Sequence, residues 1–473
     1  MKLLKDLRKV TASCLRSTSI YITALLRVEV YFCRCLSQVP NESLVLFPYR
    51  ATIFTCGLAG IVALKRQKKP TDPSHFQDIN RTVDTIERYR YRQCLEQHID
   101  LMDQYVGGDA IIEKILAAAR SLKCRDRFRE IFGDQDKLAL IESIAQRLHK
   151  FVAEETAVLD KEIGHIDTSV VEVLSRRMED LKDVAWCLSV EVVENISKIK
   201  DLGDIQIRGG DLPPDKLSIY KNINTVLNSI DRLEVRGRDS AGISLMFVLA
   251  EDLYSAFKDM LGRDDLETAL QKRISRKILL NNDISIFRKV ANAEAGQVSI
   301  SFTYKIAAEI GSLGDNIAFI REQIKNDPIF QRLVTCPLAC YTISAHTRWA
   351  SIGEISEANC HPVDNKLDGE DVPLNGIIHT CLNGDIDNYL DLKTGLEKQG
   401  LALPDEISTD TKMIPLQVEH FIRQGHHLQE AFRLAVNRFD GSHAISMHSD
   451  LAPGKLFLAQ KGSGQAIFIG LSD

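Results

Sequence analysis

The chain has 473 residues, of which 44% are hydrophobic and 26% are charged, and its net charge is −6 at pH 7. This composition is ordinary for a globular protein of two or three domains, and the negative charge argues against general nucleic-acid binding. The 11 cysteines lack paired spacing, which favours reduced thiols and a cytoplasmic protein. Cys33-Arg34-Cys35 and the pair Cys336 and Cys340 have no second ligand pair, so we expect no metal ion and no other cofactor.

Residues 1–55 carry eight Lys or Arg against three Asp or Glu. The apolar part, Ile20 to Cys33, is interrupted by Arg27 and Glu29, and therefore does not predict a transmembrane span. It also lacks the apolar core and the cleavage site of a signal peptide. We interpret residues 1–55 as a leader or propeptide, or as the product of a wrongly assigned start codon, and we expect no membrane association.

A long helical block follows the first predicted strand. The apolar run from Thr52 to Ala63, with its two glycines, predicts a strand that begins near Cys56. From about residue 79 to 200 the apolar residues recur at helical spacing, and between Leu174 and Val192 they alternate steps of three and four, as in an antiparallel helical hairpin or a coiled coil. We therefore predict a helical insertion over about 65–216.

The rest of the chain mixes strands and helices without a regular βαβ period, which predicts an α+β fold. Residues 250–297 have helical patterns and predict a second, shorter helical insertion, a candidate to share one lobe with the first. The remaining predicted strands are Ile243–Leu249, Val298–Tyr304, Cys340–Ala345, Gly376–Leu382, His443–His448, Lys455–Gln460 and Gln465–Leu471. The remaining predicted helices are Leu217–Leu233, Ile306–Ile324, Asn388–Gln399, Thr411–Gln424 and Leu428–Phe439.

Three short motifs attract attention for their chemistry. Arg348 and Trp349 follow a buried strand, where a rigid guanidinium suits the two oxygens of a carboxylate, although a structural ion pair explains it equally well. The dipeptide Asn383-Gly384 is by itself typical of a hairpin turn. Asp410, in Ser408-Thr409-Asp410-Thr411, is by itself typical of a helix N-cap.

Taken in order, five motifs point to one family. They are the segment from Cys56 to Val62, the segment from Arg232 to Gly242 with its Arg-Gly-Arg-Asp-Ser-Ala-Gly run, the stretch from His346 to Pro362, Asn383-Gly384, and Ser408 to Thr411. Together they resemble the glutaminase domain of the glutamine–fructose-6-phosphate amidotransferases, which are N-terminal-nucleophile amidotransferases. The resemblance covers roughly residues 56–64, 220–249 and 298–473. It implies a four-layer α/β/β/α sandwich over residues 56–473, a glutaminase type-2 domain interrupted at about 65–216 and 250–297.

The resemblance also implies catalytic roles. Cys56 matches the nucleophile, whose own α-amine serves as the base; such an amine has a reference pKa of about 7.7–8.0. Asn383 and Gly384 match the oxyanion hole, formed by a side-chain amide and a backbone N–H. Arg236 and Gly237 match residues that support the nucleophile.

The same resemblance implies a site for a free amino acid. Arg348 matches the residue that holds the substrate α-carboxylate, and Asp410 matches the residue that pairs with the α-ammonium. Opposite charges at the two ends of one pocket would select glutamine itself rather than a peptide. Ser351 and Trp349 are further candidate substrate-binding residues.

The chain departs from the family near this site. Ile352 stands where the family usually has a histidine, Leu382 replaces a histidine before Asn383, and Asp385 replaces an apolar residue after Gly384. Val235 and Arg238 stand where the family shows tyrosines. These departures put glutamine binding in question without removing a group that the reaction requires.

The predicted function is glutamine hydrolysis that supplies ammonia for hexosamine phosphate synthesis from fructose 6-phosphate. The two isomerase domains of the family have no counterpart in this sequence, so we expect either that the gene is split or truncated or that a partner chain carries them. We also expect a homo-oligomer. Two alternatives remain open. One is the glutaminase domain of another amidotransferase of the superfamily, such as the phosphoribosyl pyrophosphate type; the other is an inactive remnant or an interaction scaffold built on the helical insertion.

Overall fold

The computed structural model of the protein describes residues 32–33, 57–64, 76–203, 214–274, 278–289, 296–307, 312–367, 376–462 and 466–469. Helices and mainly antiparallel strands occur together, which confirms the predicted α+β class. The chain divides into two compact units. The helical unit is Gln67–Asn224, and the sheet unit combines Met1–Arg66 with Thr225–Asp473. Among the described residues, no helix has the length and apolar character needed to cross a membrane.

The helical unit contains the predicted amphipathic helices. Ile141, Ile144 and Leu148 of one long helix are buried, as are Leu174 and Leu181 of the next, so the predicted stripes form the core of this unit. The helices are α1 (Phe76–Arg88), α2 (Tyr91–Glu96), α3 (Leu101–Gln104), α4 (Gly108–Ser121), α5 (Arg125–Phe132), α6 (Gln135–Glu162), α7 (Thr168–Trp186), α8 (Asn195–Leu202) and α9 (Pro214–Leu233), with a π-helical segment over Cys187–Glu194. Helix α9 ends in the sheet unit.

The sheet unit contains two sheets. Strand order is β2-β6-β3-β5-β4 in the first, where all neighbours are antiparallel, and β1-β9-β8-β7 in the second, where the two-residue strand β1 pairs in parallel with β9. The strands are β1 (Phe32–Cys33), β2 (Gly57–Leu64), β3 (Ser240–Ala250), β4 (Asp283–Lys289), β5 (Gln297–Ala307), β6 (Cys340–Arg348), β7 (Ile378–Gly384), β8 (His443–Ser449) and β9 (Phe457–Lys461). The helices are α10 (Glu251–Arg263), α11 (Glu267–Ile274), α12 (Asp315–Lys325), α13 (Pro328–Leu333), α14 (Tyr389–Glu397), α15 (Met413–Arg423) and α16 (Leu428–Asn437).

The two sheets are stacked, and side chains from each meet in a buried polar layer. Ser244 of β3 hydrogen-bonds His379 of β7, with 2.7 Å between Oγ and Nδ1. Ser344 of β6 hydrogen-bonds Ser446 of β8 at 3.1 Å. Because side chains alternate along a strand, the neighbours of these residues point to the opposite, outer faces. We call the space between the sheets the inner layer.

The outer faces are apolar and carry the helices. On the first sheet, Phe247 and Phe302 pack against Phe330 of α13 with ring centroids 5.9 and 5.6 Å apart. On the second sheet, outward residues of β7 and β8, such as Leu382 and Ile445, share one core with α15 and α16. Each sheet therefore has one face covered by helices and the other facing the second sheet.

Three secondary-structure predictions were wrong in part. Residues 250–297 contain α10 and α11, but also strand β4, and they belong to the sheet unit rather than to a lobe shared with the helical unit. The sequence Asp-Ile-Ser-Ile has the two-residue period of a strand, and β4 pairs along β5. Residues 306–307 continue β5, and the next helix begins only at Asp315. Residues 466–469, in the last predicted strand, are not in a strand, and 470–471 lie outside the described residues.

Candidate active site

Three strand ends of the first sheet lie side by side. Gly57, at the start of β2, pairs with Thr347, and Arg348, at the end of β6, pairs with Ser240 at the start of β3. Cys56 precedes Gly57 in the sequence and lies outside the described residues, as does the side chain of Arg236. The predicted nucleophile and one of its supporting residues are therefore predictions that this structure does not test.

Gly237 is placed where a side chain does not fit. A Cβ atom there would lie 2.7 Å from the carbonyl carbon of Arg348 and 2.8 Å from the nitrogen of Trp349. Gly57 is similarly crowded, since its Cβ atom would lie 2.3 Å from that of Leu233. Gly237 therefore lets the turn before β3 approach the end of β6 closely, and Gly57 lets the start of β2 approach Leu233 at the end of α9.

Arg348 is buried, with 3% of its surface exposed. Its guanidinium donates to the backbone carbonyl of Ile352 and, over 3.3 Å, to that of Glu354. These bonds fold the segment after β6 back over the arginine side chain. The Ile352 departure leaves this arrangement possible, because the atom that contacts Arg348 belongs to the backbone.

The loop after Arg348 is also tied to two carboxylates. The N–H of Ala350 donates to Asp239 Oδ2 over 2.7 Å, and the hydroxyl of Ser351 donates to Asp385 Oδ1. Trp349, the residue before Ala350, remains 37% exposed. Asp385, the residue that departs from the family's apolar pattern, therefore has a defined partner from the Arg348 loop.

Asn383 and Gly384 lie at the end of β7. Asn383 Oδ1 is buried and has no hydrogen-bond partner among the described residues, so this oxygen retains the capacity to accept a hydrogen bond. Gly384 has a φ of +107°, and a Cβ atom there would lie 2.1 Å from the carbonyl oxygen of Ser442. Glycine is required here both by backbone conformation and by space.

Asp410 approaches the end of β7 from a different part of the chain. Its buried carboxylate accepts from the N–H of Ile386 over 2.8 Å and from the hydroxyls of Thr409 and Thr411 over 3.4 Å each. Its pKa is raised to about 6, mainly by burial and also by the Asp385 carboxylate, against the lowering effects of the Ile386 N–H and the Arg348 guanidinium. The carboxylate is thus poised to change charge near neutral pH.

Asn359 joins the Arg348 loop to the Asp410 segment, a role that sequence reasoning missed. Its Oδ1 accepts from the backbone N–H groups of Ser408, over 2.7 Å, and Thr409, over 3.0 Å. Ser408 in turn accepts at its hydroxyl from the N–H of Glu354 over 3.1 Å. Asn359 belongs to the stretch singled out in the sequence, but nothing local indicates which distant segment its amide holds.

These contacts bring five of the predicted positions into one region: Arg348, Ser351, Asn383, Gly384 and Asp410. Gly237 packs on the backbone of Arg348 and Trp349 in the same region. Within the described part of the chain, no three His, Cys, Asp or Glu side chains are grouped as a metal ion would need. The region is therefore a cluster of polar residues on strand ends and loops.

Comparison with known proteins gives partial similarity. No model of a protein family matches the chain. Over 137 residues it is 34% identical to glutamine–fructose-6-phosphate aminotransferase [isomerizing] of Clostridium acetobutylicum, which covers 29% of this chain and 20% of that protein. The protein of that name from Haemophilus ducreyi is 35% identical over 129 residues, which are 27% of this chain and 19% of that protein. The one from Methanothermobacter thermautotrophicus is 33% identical over 126 residues, which are 27% of this chain and 20% of that protein. The chain thus matches about a fifth of the length of these curated relatives.

Proposed function

We propose that the sheet unit is a glutaminase of the N-terminal-nucleophile type, which hydrolyses glutamine to glutamate and ammonia. The stacked sheets with helices on both outer faces agree with the four-layer sandwich of that class. The similarity to relatives that are named as glutamine-dependent aminotransferases supports the same assignment.

One observation carries the proposal. Arg348 and Asp410, a cation and an anion from separate segments, are both buried. The loop after Arg348 is tied to Asp385 through Ser351, and Asp410 accepts from the N–H of Ile386, so both segments meet the end of β7. A free amino acid carries a carboxylate, which a guanidinium binds well, and an ammonium, which a carboxylate binds well, so these two side chains match its two ends. The side chain of the amino acid would then extend toward Asn383.

In the proposed reaction, the thiol of Cys56 attacks the amide carbon of glutamine while its own α-amine accepts the proton. The amide of Asn383 and the N–H of Gly384 stabilise the negative charge that develops on the carbonyl oxygen. The amine returns the proton to the departing ammonia, and a thioester remains on Cys56. Water then hydrolyses the thioester and releases glutamate, with the same amine as base.

The acceptor of the ammonia is proposed to be fructose 6-phosphate, since the relatives carry that substrate in their names. The sugar-binding and isomerising chemistry would come from a partner chain or from a part of the protein beyond this sequence. Ammonia release can be tested without the acceptor.

The proposal is tested with protein whose first residue is Cys56, verified by mass spectrometry. Glutamine should yield glutamate and ammonia in equal amounts, and an electrophilic glutamine analogue should add its mass to the peptide that begins with Cys56. A Cys56→Ala variant controls for contaminating glutaminase and should show neither result. Absence of glutamate from verified, folded protein would contradict the proposed function.

The pKa of Asp410 predicts the acid limit of this activity. Only the ionised carboxylate can pair with the substrate ammonium, and ionisation is largely complete above a pKa of about 6. The value of kcat/KM for glutamine should therefore rise with pH through about 6. Because a bound ammonium favours the ionised carboxylate, kcat should retain activity to lower pH than kcat/KM does. Steady-state kinetics between pH 4.5 and 8 measure the pH dependence of both kcat/KM and kcat. A value of kcat/KM that does not change across pH 5–7 would contradict the role of Asp410.

A further inference from the structure

His361 contacts all three chain segments that carry the candidate substrate-binding groups. Its Nε2 lies 2.7 Å from the hydroxyl oxygen of Thr411, the residue after Asp410. Its Nδ1 lies 3.1 Å from Nδ1 of His346, two residues before Arg348. The backbone N–H of Leu382, the residue before Asn383, also points to Nδ1 over a long 3.5 Å.

The ring is held rigidly in the inner layer. His361 is 3% exposed, and its carbonyl oxygen lies against β3, where a Cβ atom on Gly242 would come within 2.1 Å of it. The preceding thiol of Cys360 donates to the carbonyl of Ala241 over 3.1 Å. Gly242, the last residue of the Arg-Gly-Arg-Asp-Ser-Ala-Gly run, thus lets the His361 backbone approach the sheet.

The direction of each hydrogen bond follows from the groups involved. The N–H of Leu382 also lies near His346, but it has hydrogen-bond geometry only toward Nδ1 of His361. A backbone N–H can only donate, so Nδ1 of His361 is an acceptor. Burial, together with the charges of Arg348 and Lys305 and the neighbouring His346, holds the pKa of His361 well below its usual range, so the ring is neutral. Its single proton is then on Nε2 and is donated to the hydroxyl oxygen of Thr411.

The same reasoning fixes the two ends of the chain of bonds. Nδ1 of His361 accepts, so the proton between the two rings belongs to Nδ1 of His346. Nε2 of His346 therefore carries no proton and is an acceptor. That atom has no hydrogen-bond partner among the described residues. His346 is neutral as well, because burial and Arg348 lower its pKa to about 3. At the other end, Thr411 accepts from His361 and can donate its hydroxyl proton to Oδ1 of Asp410.

We propose that His361 is a positioning residue, which orients the carboxylate of Asp410 through a directed chain of hydrogen bonds from His346 through His361 and Thr411. That Asp410 binds the ammonium of a free amino acid rests on the proposed function. The chain itself does not depend on that assignment. Two neutral imidazoles are suited to this role, since they hold the hydroxyl in one orientation without adding charge beside the substrate.

The histidine tautomers provide the first test. In the full chain labelled with 15N-histidine, His361 should appear as the neutral Nε2–H form and His346 as the less common neutral Nδ1–H form, both unchanged between pH 5 and 8. Resonances are assigned with His361→Gln and His346→Gln. An Nε2–H tautomer of His346, or protonation of either ring above pH 6, would overturn the proposal.

The second test measures the pKa of Asp410 from its 13C-carboxyl shift in the full chain. Thr411→Val keeps the shape of the side chain but removes the hydroxyl, so the pKa should rise by about half to one unit, the equivalent of one modest hydrogen bond. The charges that face Asp410, those of Asp385 and Arg348, are untouched. Thr411→Ser restores the hydroxyl and should return the pKa to the wild-type value.

The two tests separate this proposal from the proposed function. An unchanged pKa in Thr411→Val, or a pKa in Thr411→Ser that stays as high as in Thr411→Val, would overturn the chain of hydrogen bonds even in an active glutaminase. Failure to hydrolyse glutamine would contradict the proposed function, while the tautomers and the carboxyl pKa still report whether the chain exists.

Discussion

Protein that begins at Cys56 should hydrolyse glutamine about 10²–10⁴ times faster than protein in which Thr55 is still joined to Cys56. In the joined chain the nitrogen of Cys56 is an amide, which neither titrates near neutral pH nor accepts a proton in the reaction. Loss of a general base typically lowers the rate by about 10²–10⁴. The measurement is glutamate release by the two proteins, each with its N-terminus sequenced before and after the assay.

Two matched proteins make the comparison specific. The shorter protein is produced with Met before Cys56, because the cell removes Met before a small residue, and a second shorter protein carries Cys56→Ala. A full chain with Thr55→Pro controls for accidental processing at that bond. Equal activity in an intact, sequenced full chain would contradict the N-terminal amine as base, whereas activity that survives Cys56→Ala would contradict the nucleophile.

The strands that carry the candidate site could be predicted from the sequence because they are buried on both faces. Along β6, the run from Tyr341 to Ala345 has no charged residue, and the structure extends this strand to Arg348. The predicted strand over residues 376–382 lies two residues before the observed β7, because Asn383 and Gly384 pair with β8 instead of following the strand. Errors of this size are expected at element ends, where local pattern is weakest.

Other features depend on contacts that no local pattern contains. The two-residue period of Asp-Ile-Ser-Ile in β4 is too short to outweigh the helical patterns that precede it, and pairing with β5 identifies the strand. The two inner faces are buried although they are rich in hydroxyl and imidazole groups. The alternation of polar and apolar residues around Ser344 and His346 therefore does not distinguish a buried face from an exposed one. Asn359 and His361 both bond the segment Ser408 to Thr411, which lies about fifty residues further along the chain, so these contacts could be found only from the fold.

Asp410→Asn should lower kcat/KM for glutamine by about 10²–10³, since removing one member of a buried charge pair costs about 2–5 kcal/mol. The same variant should stabilise the protein. The folded state raises the pKa of Asp410 from 3.8 to about 6, so its stability falls as pH rises from 3.8 to about 6 and stays reduced above that. At pH 7.5 the neutral amide should therefore increase the free energy of unfolding by about 1–3 kcal/mol.

A second buried aspartate of the sheet unit provides the matched control. Asp450 accepts at both carboxylate oxygens from the N–H of Ile377, over 2.9 and 3.1 Å, and burial raises its pKa to about 7. Asp450→Asn should also raise the melting temperature at pH 7.5, yet leave glutamine kinetics unchanged, because Asp450 contacts none of the candidate site residues through these bonds. Stabilisation alone in both variants would show that Asp410 is a strained structural carboxylate. We expect both variants to be stabilised and only Asp410→Asn to lose activity. This result would indicate that the unfavourable buried charge of Asp410 is retained because it binds the substrate.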